Sequence, residues 1–175
     1  PTMNYLIYLT MPTYLAQWYA NECTQVHNRD KAVCPHEVYR FPDPIKPVEL
    51  SQESRIIHDN LLKQPSDRPE PIPADATLAV VIPSFPNMPV DYYNYLTPSA
   101  RELLVSTIYQ RFQREFFSYM LNARVRNPRS RIDLLINTFM ENNCIEFNDT
   151  NWNTLAKNYK RMRDTMKCAI VAGIA

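Results

Sequence analysis

Glycine is almost missing from this chain: Gly173 is the only one in 175 residues. A P-loop and a dinucleotide-binding turn both need glycines, because backbone must approach phosphate where a Cβ would collide. The strained elbow that presents the nucleophile of many serine hydrolases makes the same demand. The sequence therefore excludes most nucleotide-using enzymes and the largest hydrolase class. Long apolar runs are missing as well. The stretch 3–9 lacks a preceding positive region and soon meets Pro12, Gln17, Asn21 and Glu22, while the tail 169–175 is too short to span a bilayer. Neither a signal peptide nor a membrane span is expected. The four cysteines have no secretory context that would make them a disulfide framework, so the cytoplasm is the expected location.

Proline, by contrast, is abundant and unevenly placed: fourteen of fifteen fall within the first 98 residues. Charge is uneven too. The chain carries a formal net charge of +1, but residues 1–100 hold seven Lys/Arg against eleven Asp/Glu, and residues 101–175 hold twelve against seven. An acidic, proline-stiffened first part and a basic second part point to an anionic partner, or to the two parts docking on each other. The length suits one domain with a sizeable core, divided in character at about residues 96 and 97.

The first part reads as short elements on extended connectors. Residues 3–9 predict a strand, and Tyr14–Ala20 a short helix opened near Pro12. Residues 23–37 are polar and irregular. Val38–Phe41 alternates like a strand and is stopped by Pro42, Pro44 and Pro47. Ser51 caps a helix over about residues 52–63, with Ile57 and Leu61 on one face. Residues 65–73 form a linker, and Thr77–Ile82, β-branched and nearly all apolar, predict a central buried strand. Residues 83–96 form a surface loop containing Tyr92, Tyr93 and Tyr95.

From Thr97 the pattern is helical. Thr97 as cap with Pro98 behind it opens a long helix in which Leu104, Ile108, Phe112, Phe116 and Met120 recur every four residues. Asn127-Pro128 ends it. Ser130 with Asp133 resembles a capping box and opens a second helix carrying Ile132, Leu135, Ile136 and Phe139 inward, closed by Asn142-Asn143. Asn148 or Asp149 caps a last helix with Trp152, Leu155, Ala156, Tyr159 and Met162 at helical spacing. The expected fold is α+β: a small, mostly antiparallel sheet around 77–82, joined by 38–41 and 3–9, packed under C-terminal amphipathic helices with a helix-turn-helix-like end.

Candidate sites follow from the charged and polar side chains. Arg124, Arg126, Arg129 and Arg131 crowd the turn at Pro128, and Lys157, Lys160, Arg161, Arg163 and Lys167 crowd the last helix. Arginine forks and lysine point charges meet phosphate oxygens, and the last two helices have the order of a helix-turn-helix. The alternative for each is a solvated face part-neutralised by Glu141 and Glu146. Cys23, His27, Cys34 and His36 are four zinc-type ligands, but their spacing does not begin with a close cysteine pair, so no metal is expected. Cys144 and Cys168 are expected to be packing residues. His58 and Asp59 are neighbours on a helix and are expected to point apart. No catalytic constellation emerges and no cofactor is implied.

Several phrases form a set: Leu15-Ala16-Gln17-Trp18-Tyr19, Arg40-Phe41-Pro42, Ile82-Pro83-Ser84-Phe85, Tyr93-Asn94-Tyr95-Leu96 and Asn151-Trp152-Asn153, followed by Leu155-Ala156-Lys157 and Tyr159-Lys160-Arg161. Together they resemble a family of small uncharacterised proteins from gut Bacteroidales and their phages and mobile elements. The resemblance implies a mobile-element context with a DNA-handling, defence or virion accessory role. Trp152, Leu155-Ala156 and the basic run to Arg163 are also loosely similar to the final helices of Myb-like domains, without the further tryptophans those carry. The leading expectation is a non-enzymatic nucleic-acid-binding accessory protein, with DNA the expected nucleic acid. The eight residues Arg124, Arg126, Arg129, Arg131, Lys157, Lys160, Arg161 and Arg163 would hold the phosphates. The runner-up is a protein-interaction or assembly module using the proline-rich arms and exposed tyrosines, which predicts a homo-oligomer or a stable protein partner.

Overall fold

The computed structural model describes residues 5–27, 37–65 and 70–173. It is an α+β fold in which a small sheet lies among five helices. Strand β1 (Leu6–Leu9) pairs antiparallel with β4 (Leu78–Val81), and the two-residue β2 (Pro44–Ile45) pairs parallel with β4 on its other side. Strand β4 is central and its Leu78, Ala79 and Val80 are buried, as the unbroken apolar run predicts. A separate ribbon joins β3 (Leu62–Lys63) to β5 (Tyr93–Tyr95), antiparallel with a register shift. The tyrosine-bearing loop thus contains a strand, and Lys63 and Arg101 lie 5.9 Å from the centres of the Tyr93 and Tyr95 rings.

Two expectations about the first part are corrected. Val38–Phe41 is not a strand. Asp43 N–H donates to the carbonyl of Arg40, turning the chain before it can run along the sheet, and the Tyr39 hydroxyl accepts the N–H of Ala79 instead. The prolines confine what remains to an edge, and Pro44 sits in β2, where a missing N–H is tolerated. The first helix also runs past its expected end. Helix α1 (Thr13–His27) carries Cys23 into the core, and the supposedly irregular stretch is helical through His27. Residues 28–36 lie outside the described chain, as do 66–69 of the expected linker.

Helix α2 (Gln52–Asn60) is capped by Ser51, whose hydroxyl accepts the N–H of Ser54 at 3.1 Å; it stops earlier than expected, because the chain turns into β3. Helix α3 (Pro98–Arg126) begins with Thr97 as cap and Pro98 in its first turn, and its stripe Leu104, Ile108, Phe112, Phe116 and Met120 is buried along its whole length. Phe112 is the hub. Its ring lies 5.2 Å from Tyr14, 5.4 Å from Trp18, 5.8 Å from Phe116 and 6.0 Å from Phe139. The helix α4 (Ile132–Asn142) supplies Phe139, and α5 (Asp149–Val171) closes the core with Leu155 and Tyr159.

Side-chain hydrogen bonds fix these layers. The Thr77 hydroxyl donates to the carbonyl of Met11 and accepts its N–H, locking the entry of α1 onto β4. The side chain of Gln17 accepts the N–H of Glu146 at 2.9 Å, joining α1 to the connection before α5. Trp152 Nε1 donates to Asn137 Oδ1 at 2.9 Å, which holds α5 against α4.

Candidate nucleic-acid interface

The arginines around Pro128 do not share one fate. Arg124, in the last turn of α3, is half-buried and donates to the carbonyl of Ser130 at 2.8 Å, so it clamps the turn. Arg131 is the cap residue of α4 and grips Asp133 through two hydrogen bonds of 3.2 and 2.5 Å. Those hydrogen bonds hold the Asp133 carboxyl below its usual range, and both groups are exposed. The expected capping box is therefore replaced: Ser130 lies one residue too early, and Asp133 turns to the guanidinium. Arg126 and Arg129 are exposed and have no carboxylate within 4 Å among the described residues. Two of the four arginines are thus available and two are held by their own turn.

Helix α5 is the more open of the two regions. Asn148 caps it, its side chain accepting the N–H of Asn151 at 2.8 Å. Asn151, Leu155, Asn158 and Tyr159 are buried; beyond Tyr159 none of the described residues is. Lys157, Lys160, Arg161 and Lys167 are exposed and have no carboxylate within 4 Å among the described residues. Lys157, Lys160 and Lys167 share one side of the helix by spacing. Arg163 is half-buried and lies 3.7 Å from Asp164. The connection between α4 and α5 runs over 143–148 and includes Cys144, buried at a positive φ of 53°. Cys168, expected to pack, is exposed.

The electrostatic counterweight lies on the other side of α3. Arg111 donates to Glu53 at 2.6 Å and lies 3.5 Å from Glu22, with its guanidinium 5.4 Å from the centre of the Trp18 ring. Glu53 is completely buried, and its second carboxylate oxygen has no hydrogen-bond partner among the described residues. Desolvation pushes up the carboxyls of Glu22 and Glu115, the latter with help from the Glu22 charge, and burial raises the Cys23 thiol to about 12. This network escaped the sequence reading because its members come from three helices with no shared motif. The signal available was a polar residue, Glu53, on the same face of α2 as Ile57.

The other candidates divide as follows. Cys23 is buried, while His27 turns its Nε2 toward the carbonyls of Lys46 and Pro47, at 3.2 and 3.4 Å. Cys34 and His36 lie outside the described residues. His58 and Asp59 do meet, contrary to expectation: Nδ1 and Oδ1 are 2.8 Å apart, both side chains being exposed. Rotamers bring the two together although their Cα–Cβ bonds diverge. Fold and surface together define a small α+β protein with a basic helical face. Comparison with protein-family models, with curated proteins and with solved structures returns no match to this chain. Among the described residues, no helix is long and apolar enough to cross a membrane.

Proposed function

We propose that this chain is a non-enzymatic nucleic-acid-binding protein that holds the phosphate backbone through α5 and the turn between α3 and α4. The observation that carries the reading is the outer side of α5, where Lys157, Lys160 and Lys167 stand exposed with no carboxylate within 4 Å among the described residues. Cations in this condition release the counterions of a nucleic acid when they meet its phosphates, which drives association. Arg126 and Arg129 extend the contact, while Arg124 and Arg131 shape the turn that presents them. Duplex DNA suits the reading, because the major groove admits one α-helix and, among the described residues, none of α5 beyond Tyr159 is buried. The start of α5 is stapled by Trp152 and the buried Asn151, so its first turn is not free to read bases as a recognition helix does. Backbone contact without strong sequence preference follows. The phage or mobile-element setting rests on the sequence resemblance alone.

The test is fluorescence anisotropy of a labelled duplex across a salt series. Affinity is expected to fall linearly in log salt. Combining Lys157→Gln, Lys160→Gln and Lys167→Gln is expected to reduce that slope by about three units, roughly one per phosphate contact. A slope unchanged in the triple variant would remove α5 from the interface, and no binding at low salt would end the proposal.

A further inference from the structure

Helices α3 and α5 leave a groove of about 350 Å³ between them, whose apolar floor the nucleic-acid reading does not use. Its apolar lining is Phe117 from α3 with Met162 and Met166 from α5. The apolar stripes overrun the groove on both helices. On α3 they continue at four-residue steps as Leu121, 37% exposed, and Val125, 80% exposed; on α5 Ile170 follows Met166 and is 64% exposed. From Tyr109, at the groove's start, to Val125 is sixteen residues, about 24 Å of helix. Exposed apolar residues at helical spacing along two neighbouring helices mark an interaction surface rather than scattered surface leucines and valines.

The polar groups in the groove are donors. Asn158 is only 7% exposed, and its amide is held against the Tyr14 hydroxyl on α1. The Tyr109 hydroxyl accepts from Gln113 at 2.8 Å, which leaves its own hydrogen to give. Arg161 lines the opposite wall with no carboxylate within 4 Å among the described residues.

We propose that this groove takes an amphipathic helix of a partner protein whose apolar ridge is edged by carboxylates. The stripe length matches four turns of helix and exceeds what a small molecule covers, and methionines adapt to the ridge laid on them. Phosphates do not fit a floor of Phe117 and methionine, and a flat bilayer does not reach donors set between two helices. A second copy of this chain is disfavoured by charge. Its most exposed apolar helix is edged by Arg161, Arg163 and Lys167, and would bring cations against cations.

The probe is a synthetic eighteen-residue peptide with leucine at helical spacing and glutamate on both flanks (about 27 Å if helical), titrated into the full chain beside a twin carrying lysine for every glutamate. Amide chemical shifts in the ¹⁵N–¹H spectrum are the readout. The glutamate peptide is expected to bind in the micromolar range, with shifts centred on Phe117, Asn158, Met162 and Met166, and the lysine twin to bind roughly tenfold more weakly or worse. Arg161→Glu is expected to invert that preference. Met166→Asp, at an exposed position that leaves the core intact, is expected to abolish binding of the glutamate peptide. Equal affinity for the two peptides, shifts elsewhere, or no binding would overturn the proposal. So would a dimer by light scattering that protects the groove, or a preference for phosphatidylserine vesicles over the peptide.

Discussion

Helices α1 and α5 begin alike and end differently. Both enter the same core, and Tyr14 and Trp18 of one and Leu155 and Tyr159 of the other are buried there. Over Tyr14–Ala20 every residue of α1 is buried, polar Gln17 included, so that the helix is surrounded on all sides. In α5 full burial stops at Tyr159; Met162 still packs partly against the core, and the described turns beyond it to Val171 are largely exposed. A helix wrapped on all sides is bound by the requirements of packing. One that leaves the core halfway is free to carry charge and apolar groups for something else. The difference leaves the first helix to packing and makes the second the place where the proposed contacts are tested.

The comparison breaks most sharply at its ends. Trp18→Ala removes a fully buried indole from α1 and is expected to cost about 3–5 kcal/mol by chemical denaturation. Ile170→Ala, at the free end of α5, is expected to stay within about 0.5 kcal/mol of the parent. Equal losses at the two sites would mean that α5 is held by more than the structure shows. Next in size is Arg111→Met, which leaves Glu53 buried and without its cation. Because the guanidinium keeps some exposure, the loss is expected near 3 kcal/mol.

The smallest effect has the opposite sign. Burial raises the carboxyls of Glu22 and Glu115 above the ordinary value of 4.5. The folded chain holds those protons more tightly than the unfolded one. Their contribution to stability is therefore present below pH 4.5 and is lost as pH rises through the folded values. Glu115→Gln is expected to raise the melting temperature slightly at pH 7 and to leave it unchanged at pH 4. Melting curves at the two pH values check this, and stabilisation confined to the acid side would reverse the assignment.

What the sequence made legible was whatever is encoded locally. Thr97 and Pro98 start a helix because cap and φ preference sit in adjacent residues, and the four-residue stripe of α3 needs no partner to be seen. Thr77–Ile82 announces a central strand by composition alone. The rest depends on distant residues. His27 is helical although residues 23–37 look irregular, because Cys23 finds a buried place among residues far along the chain. Tyr39 satisfies Ala79 by side chain, which no alternation pattern reports. In the candidate interface the two clusters were visible as runs of charge. Their division into held arginines (Arg124 and Arg131) and open cations (Arg126, Arg129 and the lysines of α5) was not, since it turns on hydrogen-bond geometry at one turn. The groove was invisible for the same reason, its walls lying more than forty residues apart.

The bond from Gln17 to Glu146 and the ring contacts from Tyr14 and Trp18 to Phe112 have a consequence for synthesis. Helix α1 leaves the ribosome with apolar groups all round it and nothing to bury them. Its first large partner, α3, follows about ninety residues later, a delay of roughly 5–20 s at ordinary elongation rates. Through that interval Tyr14 and Trp18 lack the Phe112 ring that they pack against in the folded chain.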